Sequence, residues 1–89
     1  MQRHTKVYMK FFDYGESDVI LCEACGRPAK DIHHIEGRGK GKDVISNLIA
    51  MCRKCHERAH GIGNVPLSKG EVQYIHNCFI AGDRHRFFK

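Results

Sequence analysis

Residues 52–60 read CRKCHERAH, in which two cysteines three apart are followed by two histidines four apart. Good helix formers separate these side chains and Gly61 follows them, so the stretch predicts a short helix. Adjacent residues on a helix point about 100° apart. Cys55 and His56 should therefore face different sides, whereas His56 and His60 share a face. The pattern predicts that the cysteines and the histidines serve two different metal ions.

A second cysteine pair completes the first of these sites. Cys22 and Cys25 form another C-x-x-C, separated from Cys52 and Cys55 by 26 residues. Four thiolates are the ligand set of a closed, tetrahedral zinc site, so the two pairs predict a structural zinc. The alternative is four reduced thiols buried as small apolar side chains. Cys78 lies near the apolar stripe of a later helix and is interpreted as core packing.

The partners of the two helical histidines are expected in DIHHIE, residues 31–36. Adjacent histidines on a strand project to opposite sides, so His33 and His34 should not do the same job. One of them can join His56 at a metal ion while the other stays free as a base, since neutral imidazole suits either role near pH 7. Surface or packing histidines are the competing interpretation.

Composition favours a single domain that binds a polyanion. The chain has 89 residues and a net charge of +5, and basic residues concentrate at 37–42, 53–58 and 84–89. Nucleic acid is the commonest polyanionic partner, although a solvated basic face is the alternative. The sequence shows neither a membrane span nor the apolar core of a signal peptide, and five cysteines without an export signal favour metal binding over disulfides. We therefore expect a cytoplasmic protein.

The remaining segments predict a mixture of strands and helices. Residues 6–12, KVYMKFF, are expected to be extended because β-branched and aromatic residues are enriched there. Residues 29–36 predict a strand, and residues 46–51 a strand or a turn. A helix is expected over about 68–81, because a serine and a glutamate three residues apart form a capping box ahead of an apolar helical stripe.

Taken together, CEACG and DIHHIEGRGKGKDVISNLIAMCRKCHERAH, within residues 22–60, resemble the HNH endonuclease motif in its four-cysteine form. The resemblance implies a small α+β fold, in which a ββα-metal core is stapled by the zinc and followed by the C-terminal helix. It also implies metal-dependent hydrolysis of DNA to 5′-phosphate and 3′-hydroxyl ends. The loop EGRGKGKD departs from the family, whose members often carry a proline and a longer loop of Gly-Gly type.

The resemblance also implies roles for individual side chains. His34 corresponds to the general base, and Asn47 to the residue that holds the loop so that the base is correctly aimed, although in some members this asparagine is a ligand. His33 and His56 correspond to ligands of one catalytic divalent ion, which would be Mg²⁺, Mn²⁺, Ni²⁺ or Zn²⁺. His60 is either a further ligand or a side chain that contacts a ligand residue or a phosphate.

The roles of Asp31 and of the basic side chains, and the activity itself, each have an alternative interpretation. Asp31 either orients a ligand imidazole or is a solvated carboxylate. Candidate contacts to double-stranded DNA are the basic residues near the motif, which the alternative treats as solvated: Arg38, Lys40, Lys42, Arg53 and Lys54. The alternatives to an enzyme are a non-catalytic zinc-stapled module that binds DNA or protein, and a nuclease subunit that is active only with a partner. A homodimer or a larger DNA-processing complex in a bacterial or phage-infected cell is compatible with each of them.

Overall fold

The structure, a computed structural model, is a small α+β fold and describes residues 2–63, 65–83 and 87. Apart from Phe87, the basic segment 84–89 lies outside these residues. The elements follow in the order α1 (Arg3–Phe11), β1 (Asp31–His34), a short 3₁₀ turn (Ile45–Asn47), β2 (Leu48–Met51), α2 (Arg53–Ala59) and α3 (Lys69–Ile80). β1 and β2 pair antiparallel, with His33 opposite Ile49 and His34 opposite Leu48. The predicted strand, return strand and helix of the motif are confirmed.

β2 is the centre of the core because both of its faces are covered. All four of its residues, Leu48 to Met51, are fully buried. Ile49 and Met51 pack among the four paired cysteines and the apolar face of α3. Leu48 and Ala50 point the other way and pack against Tyr8 of α1. This burial on two sides explains why β2 is a continuous apolar run rather than an alternating one.

The two later helices begin as the sequence predicts. Cys52 is the N-cap of α2, where its Sγ accepts a hydrogen bond from the Cys55 amide. The capping box of α3 is present, with Ser68 and Glu71 bonding each other's backbone amides. Gly82 follows α3 with a positive φ of 92°, a conformation that favours glycine. No helix in the described ranges is long and apolar enough to cross a membrane.

The prediction of an extended segment at residues 6–12 is wrong, because residues 6–11 belong to α1 and Phe12 is its C-cap. His4 and Tyr8, one helical turn apart, are both buried, and the ring of Phe12 contacts Phe79 of α3 with centroids 5.2 Å apart. The enrichment in β-branched and aromatic residues is a weak preference that packing overrides. Here the aromatic side chains cover β2 from a helix instead of a strand.

A buried polar network joins α1, β2 and α3 through Glu23, which is 3 % exposed. Its carboxylate accepts hydrogen bonds from the Tyr8 hydroxyl at 2.6 Å and the Ala50 amide at 3.3 Å. His76 Nδ1 lies 2.8 Å from its other oxygen. Burial and the adjacent carboxylate raise the pKa of Tyr8, so the phenol stays protonated and remains a donor. No pattern in the sequence indicated this network.

We expect the Tyr8→Phe variant to be less stable by about 1–3 kcal/mol, because a buried Glu23 oxygen loses its shortest hydrogen bond. Urea unfolding with zinc present measures the difference. Tyr74→Phe is the matched control: this side chain is 63 % exposed, so its loss of a hydroxyl should change stability by less than about 0.5 kcal/mol. Equal unfolding midpoints for Tyr8→Phe and the parent chain would contradict a stabilising role for the network.

Candidate metal centres and active-site cleft

The four paired cysteines come together in one cluster, as the sequence predicts. The Sγ atoms of Cys22, Cys25, Cys52 and Cys55 all lie within 4.8 Å of one another, and all four residues are buried. The Cys25 and Cys52 sulfurs are 3.7 Å apart, close to the roughly 3.8 Å between two sulfurs that hold one tetrahedral zinc at about 2.3 Å. Cys78 lies on α3 outside this cluster and is half-buried.

The electrostatics of the cluster also favour a bound cation. A hydrogen bond from Cys55 lowers the pKa of Cys22 to about 4. Sharing that bond and being buried raise the pKa of Cys55, and burial raises the pKa of Cys25. Cys25 and Cys55 therefore ionise readily only when a positive ion compensates the thiolates in this small buried volume. A divalent ion such as zinc fits both the spacing and the charge.

Three histidines form a second cluster where β1 faces α2. His56 Nε2 lies 3.1 Å from His33 Nδ1 and 3.1 Å from His60 Nε2. Nitrogens that share one ion at about 2.1 Å lie about 3.0–3.4 Å apart, so this spacing fits a common ion. Burial, with His56 and His60 alongside, lowers the pKa of His33 to about 4. His33 is consequently neutral at pH 7 and has a lone pair to offer.

Asp31 contacts this cluster from the first position of β1. Its Oδ2 lies 3.0 Å from His56 Nδ1. An ionised carboxylate only accepts hydrogen bonds, so His56 Nδ1 carries the proton and His56 Nε2 keeps its lone pair toward His33 and His60. This is the arrangement in which a carboxylate orients a metal-binding imidazole. The contact favours the orienting role of Asp31 over that of a solvated carboxylate.

His34 projects to the opposite side of β1, as strand alternation predicts. Its Nε2 lies 2.8 Å from Asp43 Oδ1, and its side chain is 5 % exposed. The hydrogen bond from His34 lowers the pKa of Asp43, so the carboxylate is ionised and His34 Nε2 is the donor. With Nε2 as the donor, Nδ1 is the ring nitrogen that can hold a lone pair. The ring of His4 lies edge-on to His34, with centroids 4.7 Å apart.

Asn47 binds the loop that connects His34 to Asp43. Its Oδ1 accepts from the Glu36 amide at 2.7 Å, and its Nδ2 donates to the carbonyls of Gly37 and Lys42 at 3.2 and 2.9 Å. The side chain is thus used by backbone groups at both ends of the loop. Within the described residues, these contacts favour the role of loop holder over that of metal ligand.

His34 and the three clustered histidines line one cleft. A cavity of about 280 Å³ is lined by His33, His34, His56 and His60 together with Arg38 of the loop. The loop side chains Arg38, Lys40 and Lys42 are exposed, as are Arg53 and Lys54 at the start of α2. The candidate base, the candidate metal ligands and a cation therefore surround a common space.

Two side chains beside His34 were missed at the level of sequence. Asp43 follows the basic loop and has no pattern that marks it before the loop is folded. His4 is a neighbour of His34 only because α1 is helical, whereas residues 6–12 of this region were expected to be extended. The start of α1 also lacks a capping pattern that would predict a helix, since the Gln2 side chain makes no capping hydrogen bond.

Comparisons with known proteins assign a family to the middle of the chain. The family model described as HNH endonuclease matches residues 22–61. The mitochondrial DNA mismatch repair protein mutS homolog of Sarcophyton glaucum is 37% identical over 46 residues, which covers 44% of this chain and 5% of that relative. The chain thus spans only a small part of that relative's length. No solved structure matches. The segment of residues 22–61, which contains the four clustered cysteines and the histidines of the cleft, is an HNH endonuclease family domain.

Proposed function

We propose that this protein is a metal-dependent DNA endonuclease that hydrolyses phosphodiester bonds to 5′-phosphate and 3′-hydroxyl ends. One observation carries the proposal. His34, with its own carboxylate partner, lines the same cleft as the three clustered histidines but approaches it from the other side of β1. A base and a cation site that are separate yet adjacent are what hydrolysis of a phosphodiester requires.

The chemistry assigns a task to each group. Phosphodiesters resist hydrolysis because negative oxygens shield the phosphorus and an alkoxide must leave. A divalent ion held by His33, His56 and His60 would supply positive charge beside a non-bridging oxygen and the departing 3′ oxygen. His34 accepts the proton of the attacking water at Nδ1, and Asp43 stabilises the imidazolium that forms.

The ligand atoms are consistent with several ions. Three neutral nitrogens leave the charge of a divalent ion less compensated than carboxylates would, and they suit Mn²⁺, Ni²⁺ or Zn²⁺. Mg²⁺ also serves if water and substrate oxygens complete its coordination. Asp31 keeps the ring of His56 turned toward the ion, and Asn47 keeps the loop in place beside His34.

The exposed basic side chains supply the attraction for DNA. Arg38 lines the cleft, so it is placed to contact a phosphate next to the scissile bond. Lys40 and Lys42 extend the same loop, while Arg53 and Lys54 begin the helix that positions two of the candidate ligands. Contacts of this kind hold the backbone without reading base sequence.

Incubation with supercoiled plasmid tests the proposal directly. Protein freed of loosely bound metal should leave the plasmid intact, and added Mg²⁺ or Mn²⁺ should produce nicked or linear DNA. EDTA should stop the reaction, and an excess of Mn²⁺ should restore it while circular dichroism shows that the fold is kept. Binding without cleavage under every metal would instead identify a non-catalytic module.

The basic loop should make DNA affinity depend on salt, because each phosphate that a side chain neutralises releases counterions. Replacing Arg38, Lys40 and Lys42 by glutamine should lower the log–log slope of affinity against salt. The expected decrease is about one unit for each phosphate that the variant no longer neutralises. Fluorescence anisotropy with a labelled duplex between low and moderate salt measures the slope.

The control removes the same charge elsewhere. Lys6 and Lys10 on α1 and Arg27 are exposed, and their replacement by glutamine should leave a steeper slope than the loop variant does. If both variants lower the slope equally, net charge rather than the loop determines binding.

A further inference from the structure

The side chain of His4 is 7 % exposed, yet it makes no hydrogen bond to any residue in the ranges 2–63, 65–83 and 87. Buried polar side chains are normally paired. Since no side-chain nitrogen in these ranges is both fully enclosed and unpaired, the ring nitrogens of His4 still reach solvent. A nitrogen of His4, a nitrogen of His34 and a carboxylate oxygen of Asp43 lie within 4.8 Å of one another. We propose that these three side chains form a third metal site, at which Zn²⁺ binds and inhibits cleavage.

The donor atoms suit zinc. Two imidazoles and one carboxylate are a common protein ligand set for zinc with a water as fourth ligand. His4 and His34 are both buried, whereas the Asp43 side chain is 31 % exposed, so an ion can enter from the Asp43 side. Ligands that share one zinc lie roughly 3.3 Å apart, and His34 Nε2 already lies 2.8 Å from Asp43 Oδ1.

Three different elements build this site. His4 comes from α1, outside the segment that matches the family. His34 comes from β1, and Asp43 from the end of the loop that Asn47 holds. The site therefore depends on the helix that precedes the HNH domain, and it is distinct from both the cysteine cluster and the cluster of His33, His56 and His60.

Zinc inhibits cleavage by changing which ring nitrogen of His34 carries the proton. This inhibitory role rests on the proposed function. His34 Nε2 is the nitrogen that faces Asp43. While it donates to this carboxylate, Nδ1 is free to accept a proton from water. When Nε2 instead binds zinc, the neutral ring carries its proton at Nδ1 and has no lone pair left for water. Zinc at this site thus removes the base without contacting the other two sites.

Counting bound zinc tests the site without reference to activity. After equilibrium dialysis against excess zinc, the parent should hold about three ions per chain, for the cysteine, three-histidine and His4 sites. His4→Phe keeps a ring beside His34 but removes the nitrogens, and should hold one ion fewer. The same loss of one should occur in a His56→Ala background. Equal counts for the parent and His4→Phe overturn the proposal.

A second variant guards against a folding defect in the buried position. Asp43→Asn changes a partly exposed side chain and should also lose one zinc, while Glu16→Gln, which alters an exposed carboxylate, should lose none. If His4→Phe loses zinc but Asp43→Asn does not, Asp43 is not a ligand and the three-residue site is wrong.

The inhibitory role is measured separately. In nicking assays supported by a fixed Mn²⁺ concentration, rising zinc should inhibit the parent, and His4→Phe should need at least about tenfold more zinc for half inhibition, the usual scale for a weakened metal site. Inhibition at the same zinc concentration in both proteins would place the effect at another site and overturn this role. Should the parent never cleave DNA, the proposed function fails while the zinc counts still decide whether the site exists.

Discussion

His34→Ala is expected to cut DNA about 10² to 10⁴ times more slowly than the parent chain, the usual contribution of a positioned general base. Its affinity for the catalytic divalent ion, its structural zinc and its affinity for DNA should stay close to those of the parent. His34 is buried beside Asp43 on the face of β1 away from the three clustered histidines. Removal of its ring therefore takes away the proton acceptor without removing a ligand of that cluster.

The measurement compares plasmid nicking rates under saturating Mn²⁺ with metal affinities from calorimetry. His56→Ala is the contrasting variant, because His56 Nε2 lies 3.1 Å from both of the other clustered nitrogens. It should bind the divalent ion more weakly, and an excess of Mn²⁺ should partly restore its rate. Excess Mn²⁺ should do nothing for His34→Ala, since a missing base is not replaced by more metal.

Two results would change the assignment. A parental cleavage rate for His34→Ala removes this residue from the role of base. If His34→Ala loses the divalent ion and His33→Ala keeps it, the two neighbours have exchanged roles. The second result is sharp because β1 places the two rings on opposite faces, so that only one of them can reach His56.

Cys25→Ser or Cys52→Ser is expected to lose both the structural zinc and the folded state. The four sulfurs hold together two segments separated by 26 residues, and they form part of the apolar cluster that includes β2 and α3. In small domains of this kind the binding energy of zinc, about 10–16 kcal/mol in zinc-finger peptides, is also folding energy. This is comparable to or greater than the stability of about 5–15 kcal/mol of a typical domain.

Zinc content by mass spectrometry and thermal unfolding by circular dichroism check this expectation. Cys78→Ser is the matched control, because Cys78 lies on α3 outside the cluster. It should keep about one tightly bound zinc and most of its stability. A folded, zinc-free Cys25→Ser protein would show that the cysteines pack as thiols and hold no ion.

The spacing of residues along the chain was enough to predict several local features of this protein. The i, i+4 step places His56 and His60 on one face of α2, and strand alternation separates His33 from His34. The capping box at residues 68–71 begins α3 where the sequence predicts it. Each of these features depends on the geometry of one element, which a few neighbouring residues set, so they can be predicted before the fold is known.

The tertiary structure decided which elements meet. The helical state of α1 follows from the packing of Tyr8 against β2 rather than from the local preference of KVYMKFF. That same packing brings His4 beside His34. Likewise, Asp43 meets His34 at the end of a loop whose two ends are both bound by Asn47. Contacts between distant residues depend on how helices and strands cover one shared core. The spacing of residues along the chain does not specify this packing, so these contacts could not be predicted from it.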